Sequence, residues 1–245
     1  MALIEFKDVS KRFGKKEVLK NLNLSVKPGE TLTIIGGSGT GKSLTLKLLL
    51  GLMEPDSGHV LFKGVDVTQM QDEELMKMRS SVGMLFQGAA LFDSLSVYEN
   101  VAYPIREHFD YPEEKITQIV KIKLELVGLD GIEDLYPSEL SGGMKKRVGL
   151  ARAIATDPEV VLYDEPTAGL DPANTNRIGE LITHLQEVLK VTSVVVSHDM
   201  EFAFKISNRM ALLHNKKIEF IGTVGEVKHS TNPLVQNFIL GEIGE

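Results

Sequence analysis

Eight consecutive residues, Gly36, Gly37, Ser38, Gly39, Thr40, Gly41, Lys42 and Ser43, carry the strongest chemical signal in the chain. They fit the pattern G-x-x-x-x-G-K-[ST], a loop whose glycines let main-chain N–H groups approach a bulky, highly charged phosphate chain with no Cβ in the way. Lys42 supplies charge for the β- and γ-oxygens, and the Ser43 hydroxyl supplies a ligand for Mg2+. An apolar run, Thr31–Ile35, precedes the loop. The segment Lys42–Leu52 follows, apolar nearly all round, and reads as a buried helix whose N-terminal N–H groups face the phosphates. This order is the one the chemistry requires, so a nucleoside triphosphate is the expected ligand. Thr45, in the first turn of the helix, joins the expected contacts.

Two more constellations add to it. In Val160-Val-Leu-Tyr-Asp164-Glu165, four apolar residues set two carboxylates at the C-terminal end of a core strand. Alone, such a pair is often a helix-capping loop. Downstream of a complete phosphate loop, Asp164 reads as a Mg2+ ligand and Glu165 as the general base that polarises the attacking water. In Leu140-Ser141-Gly142-Gly143-Met144, Ser141 is a good N-cap for the basic helix Lys145–Ala155, and the two glycines expose main-chain donors at its positive end. That makes a second anion site, although on spacing alone an ordinary capped helix accounts for it as well.

The elements that must position these residues alternate along the chain. Leu3–Val9 and Val18–Val26 read as half-buried strands, Thr31–Ile35 as a buried one, and His59–Phe62 and Val82–Phe86 as further strands either side of a charged helix around Asp72–Arg79. Between Gly88 and Thr156 the texture is helical, with helices expected at Ser96–Ile105 and Pro112–Val127 and Gly128 as a C-cap. Strand patterning returns at Glu159–Tyr163, Thr192–Ser197, Met210–His214 and Lys217–Ile221, and a short helix closes at Pro233–Leu240. The class is α/β, with a mostly parallel sheet covered on both faces and an inserted helical lobe.

Bulk properties narrow the function. The chain has 245 residues, 42% hydrophobic and 25% charged, enough for one α/β domain with a real core. A net charge of -7 argues against a sequence-independent nucleic-acid binder. No cysteine is present, which excludes disulfides and thiolate catalysis. Neither a secretory signal nor a membrane span is expected, so any membrane service would need a partner that supplies the spans.

Taken together and in order, the phosphate loop, Gln87, the Leu140–Gly143 signature, Asp164-Glu165, Gly169-Leu170-Asp171 and Ser197-His198-Asp199 resemble the ABC ATPase family over essentially the whole length. The resemblance implies a P-loop NTPase core with an N-terminal antiparallel β subdomain, residues 1–87 and 157–245 forming the core and 88–156 the helical lobe of a single domain. It implies ATP and Mg2+ as cofactors, and a homodimer in which Ser141, Gly142, Gly143 and Met144 of one copy close on the γ-phosphate held by the other. Phe13 would stack on adenine, although from the residues alone it reads equally as a core aromatic. Gln87 would touch Mg2+ and the attacking water, Asp171 would hydrogen-bond across the dimer, and His198 would reach the γ-phosphate.

Met144 in the signature and the stretch Met84–His108 are similar to the ATPases of Mla-type phospholipid transporters. That likeness implies an integral-membrane permease dimer docked in the groove after Gln87, MCE-domain and STAS-type accessory partners, no nucleic acid, and a peripheral place on the cytoplasmic face of the inner membrane. An ATPase for polar-solute uptake and a soluble nucleotide switch are the alternatives.

Overall fold

The computed structural model describes residues 2–241. Chain order is β1 (Ile4–Phe13), β2 (Lys16–Val26), β3 (Thr31–Ile35), α1 (Lys42–Leu49), β4 (Ser57–Phe62), β5 (Val65–Asp66), α2 (Asp72–Ser80), β6 (Val82–Leu85), α3 (Val97–His108), α4 (Glu113–Leu126) and α5 (Gly142–Ala153). It continues with β7 (Val160–Asp164), α6 (Pro172–Leu189), β8 (Thr192–Ser197), α7 (Met200–Ile206), β9 (Arg209–His214), β10 (Lys217–Thr223), α8 (Val224–Lys228) and α9 (Pro233–Ile239). Two compact units result: residues up to Lys77 with those from Thr192 onward, and Met78–Val191.

In the first unit, β2, β1, β4 and β5 form an antiparallel sheet, and β3 pairs in parallel with both β8 and β9. β3 is buried along its whole length, which a central strand covered on both faces must be. β1 runs four residues beyond the expected Val9. Register shifts between Phe6 and Val9, and again between Val9 and Lys11, break its alternation, and Asp8 takes a left-handed φ of 51°. The alternating signal therefore stops before the strand does. α1, in turn, ends at Leu49 rather than at the expected Leu52: Gly51 has φ 62°, a left-handed stop, and Leu52 is exposed.

In the second unit, β6 and β7 are parallel, with Leu85 opposite Tyr163. α3 starts in a capping box between Ser96 and Glu99, and Pro112 sits at the N-cap of α4. α5 begins at Gly142, three residues earlier than its basic run suggests, because the Ser141 hydroxyl accepts from the Met144 N–H and starts the helix there. Asn100, fully buried on α3, accepts from the Phe92 N–H and donates to the carbonyls of Phe92, Leu95 and Ser96. Asn100→Ala removes all four of these side-chain bonds, and we expect it to cost about 3 kcal/mol in urea unfolding.

Candidate active site

The first unit builds the phosphate loop. β3 and β8 run in parallel with Ile35 opposite Ser197, so the loop beginning at Gly36 and the turn carrying His198 leave the same sheet edge. Gly36 admits no side chain, since a Cβ there would lie 2.4 Å from the Leu213 carbonyl oxygen. Gly41, at the N-cap of α1, has φ 105°, and a Cβ on it would press on Val18 at 2.9 Å. Lys42 is buried, and its ammonium donates to the Gly36 and Gly37 carbonyls, each at 2.9 Å. Thr40 donates to the Gly37 carbonyl at 2.9 Å. The loop is therefore shaped by its own side chains, with Ser38 and Gly39 exposed at its crest. A cavity of about 340 Å³ lies beside it, lined by Lys16, Val18, Gly37–Thr40 and His214–Lys216.

Ser43 stands in the first turn of α1, directly after the loop. Thr45 does not: it is buried, and its hydroxyl donates to the Lys42 carbonyl at 2.6 Å, so it presents nothing to a ligand. Phe13 ends β1 at 49% exposure, with the Lys11 ammonium 5.8 Å from its ring centre; it is a free-standing aromatic face and not a core residue. His198 is exposed after buried Ser197, and half-buried Asp199 caps α7 by accepting from the Phe202 N–H.

The second unit carries the carboxylates and the signature. Asp164 ends β7, and Glu165 follows with φ 46°, a left-handed conformation that costs a non-glycine residue roughly 1–2 kcal/mol. Gln87 follows β6 at the same edge, exposed two residues beyond Leu85. One side chain joins these two segments. Lys146, on α5 and 5% exposed, donates to the Gln87 carbonyl and to the Glu165 carbonyl, the latter at 3.4 Å. Burial pushes its ammonium below the usual lysine range, against the pull of the Asp164 and Glu165 carboxylates. Arg152, one stripe further along α5, donates to the Ala89 and Ala90 carbonyls at 2.8 and 2.9 Å. Neither cation stands out in the sequence, where both belong to an evenly basic helix; only the three-residue steps from 146 through Gly149 to 152 hint at a common side.

Ser141 and Gly142 are exposed at the start of α5. Beside them, Gly143 is so close to α6 that a Cβ would sit 2.8 Å from the Asn174 side-chain oxygen. Asn174 is in turn held by Asp171, whose carboxylate accepts from its main-chain N–H at 2.9 Å and its side-chain amide at 2.6 Å. These bonds hold the Asp171 carboxyl below the usual aspartate range. Asp171 is thus the N-cap of α6, with Pro172 at N1, and lies in one patch with Ser141–Gly143.

Comparison with known proteins identifies the family. The model of the ABC transporter family matches residues 19–168. The chain is 45% identical over 240 residues to the intermembrane phospholipid transport system ATP-binding protein MlaF of Haemophilus influenzae, covering 98% of this chain and 91% of that one. It is 40% identical over 238 residues to the probable ribonucleotide transport ATP-binding protein mkl of Mycobacterium leprae, covering 97% of this chain and 69% of that protein. Among solved structures, the dimeric cassette MJ0796 in a post-hydrolysis state bound to ADP and Pi superposes with a TM-score of 0.82 at 32% identity, over 90% of this chain and 98% of that one. With a family model matching residues 19–168 and relatives above 30% identity along nearly its whole length, the chain belongs to the ABC transporter family, as an ATP-binding subunit of the ABC ATPase fold that hydrolyses ATP with Mg2+.

Proposed function

We propose that two copies of this chain form an ATP sandwich that energises phospholipid movement through an integral-membrane permease dimer. In this reading Ser38–Lys42 of one copy hold the β- and γ-phosphates, and Ser141–Gly143 of the other close on the γ-phosphate with their main-chain donors. Phe13 stacks on adenine. Glu165 takes a proton from the attacking water as its oxygen bonds to the γ-phosphorus, and the bond to the β–γ bridging oxygen breaks to release ADP. His198 donates to a γ-oxygen, and Gln87 orients the water. Asp171 supports the closing face from its place beside Ser141.

Ser43, Asp164 and Gln87 offer a hydroxyl, a carboxylate and an amide oxygen, a hard-oxygen set that suits Mg2+. When bound, the ion neutralises charge developing on the phosphate oxygens.

The observation that carries the phospholipid reading is the 45% identity to MlaF across 98% of the chain. A feature of the second unit supports the permease partner. Phe86, Ala90, Phe92, Tyr103 and Pro104 line a cavity of about 440 Å³ after Gln87, and the rings of Phe92 and Tyr103 stand half-exposed, 5.0 Å apart. Among the described residues no helix is long and apolar enough to cross a membrane, so the reading places the chain on the cytoplasmic face of the inner membrane, held by that permease. Partners with MCE and STAS domains complete it.

The likeness to mkl, a probable ribonucleotide transport ATP-binding protein, favours ribonucleotide transport as a second reading. Purification of the tagged chain from membranes separates the two: the first reading expects a multi-span permease, an MCE-domain protein and bound phospholipid. A soluble solute-binding protein or a bound ribonucleotide in place of lipid would contradict it.

A further inference from the structure

Lys146 is an unusual buried cation. Of the other buried basic side chains among the described residues, Lys42 belongs to the phosphate loop and Lys123 is paired with Asp157. Lys146 instead spends its N–H groups on two main-chain carbonyls from different strand ends, Gln87 after β6 and Glu165 after β7. A hydrogen bond to an ammonium restrains the direction of a carbonyl, and with it the orientation of its peptide. At Glu165 that peptide belongs to a residue already in the left-handed region at φ 46°, where the side chain's direction depends on the conformation being held.

The same helix grips the Gln87 segment twice more. Gly149 packs so tightly that a Cβ would lie 3.0 Å from Leu85 and 3.1 Å from Ala89. Arg152 then secures the carbonyls of Ala89 and Ala90, both left-handed at φ 60° and 49°. The N-terminus of this helix is the Ser141 cap. A rigid helix therefore connects the Ser141 loop to the main chain of Gln87 and Glu165, and Lys146 is the point at which it touches both.

We propose that Lys146 is a positioning residue for hydrolysis, whose ammonium holds the main chain of Gln87 and Glu165 in register with the signature helix. The proposal rests on the reading of Glu165 as the base. A carboxylate displaced by a fraction of an ångström loses rate without losing nucleotide, because binding is carried by the phosphate loop.

The test compares K146M, which keeps length and volume but has no donor, with K146R, which keeps donors. K146M is expected to lower kcat by ~10-fold or more with KM for ATP within about twofold, and K146R to recover at least roughly a third of the rate. In nucleotide-free protein, amide exchange in K146M should speed up at residues 86–90 and 165–168 and stay unchanged in β7. A kcat within about twofold of the parent in K146M, or an equal loss in K146R and K146M, overturns the proposal. If K146M does not accumulate folded, K146R decides alone: parental exchange at 86–90 with kcat within about threefold supports it, and a ~10-fold loss overturns it. E165Q assayed in parallel keeps the two ideas apart, since parental hydrolysis in that variant sinks the base assignment whatever K146M does.

Discussion

Glu165→Gln is expected to lower steady-state ATP hydrolysis by at least ~100-fold while leaving ATP binding intact, since a positioned general base contributes roughly 100- to 10,000-fold. The amide has the shape of the carboxylate but cannot accept the proton from water. Glu165 is buried at the end of β7, and its main chain is held by Lys146 through a carbonyl that the substitution leaves in place. The fold should therefore be unchanged and the effect confined to kcat. Removing one negative charge near the γ-phosphate also relieves repulsion, so ATP should bind as well or better. Phosphate release under saturating ATP, together with nucleotide titration, checks both halves of the expectation. Parental phosphate release would remove Glu165 from the mechanism.

Lys42→Ala has the next largest effect, this time on affinity. The Lys42 ammonium sits buried against the Gly36 and Gly37 carbonyls, so its loss removes both the charge offered to phosphate and the donors that shape the loop. Hydrogen bonds to charged groups contribute roughly 1.5–3 kcal/mol each, so a loss of ~100-fold in ATP affinity is expected, about 3 kcal/mol. The core of the first unit does not depend on this side chain, since β3 and α1 are buried through their apolar residues. Thermal unfolding should accordingly move by no more than a few degrees. Fluorescent-nucleotide titration measures the affinity, and a dissociation constant within about twofold of the parent contradicts the assigned role.

What the sequence makes legible follows from how local each signal is. β3 and β8 are read to the residue because both are short runs of β-branched and apolar residues, with Thr and Ser the only polar members. β1 is cut short because a bulge at Asp8 breaks the alternation on which the reading depends. α1 is overextended because its apolar run continues past Gly51, although that glycine carries the stop signal.

The site divides in the same way. The phosphate loop, Asp164 and the Ser141 cap are local patterns, and the structure gives each the backbone its pattern demands. Thr45 is misread because helix position alone does not say which way a hydroxyl turns, and here it turns to Lys42. Asp171 has a dual character. The Asp-Pro start of α6 spells an N-cap, and that cap also braces Gly143 through Asn174. Lys146 is beyond sequence reading, because its carbonyl partners lie 59 and 19 residues away and a basic helix is by default a solvated face.

In the proposed sandwich one copy supplies the phosphate loop and another the Ser141 cap. Light scattering on E165Q with Mg2+ and ATP, with and without the added substitution Ser141→Arg, tests it most directly. E165Q should form an ATP-dependent dimer, and adding Ser141→Arg should leave a monomer that still binds ATP, because a bulky side chain then occupies the place where the γ-phosphate must meet the cap. A dimer that persists in the double variant would contradict it.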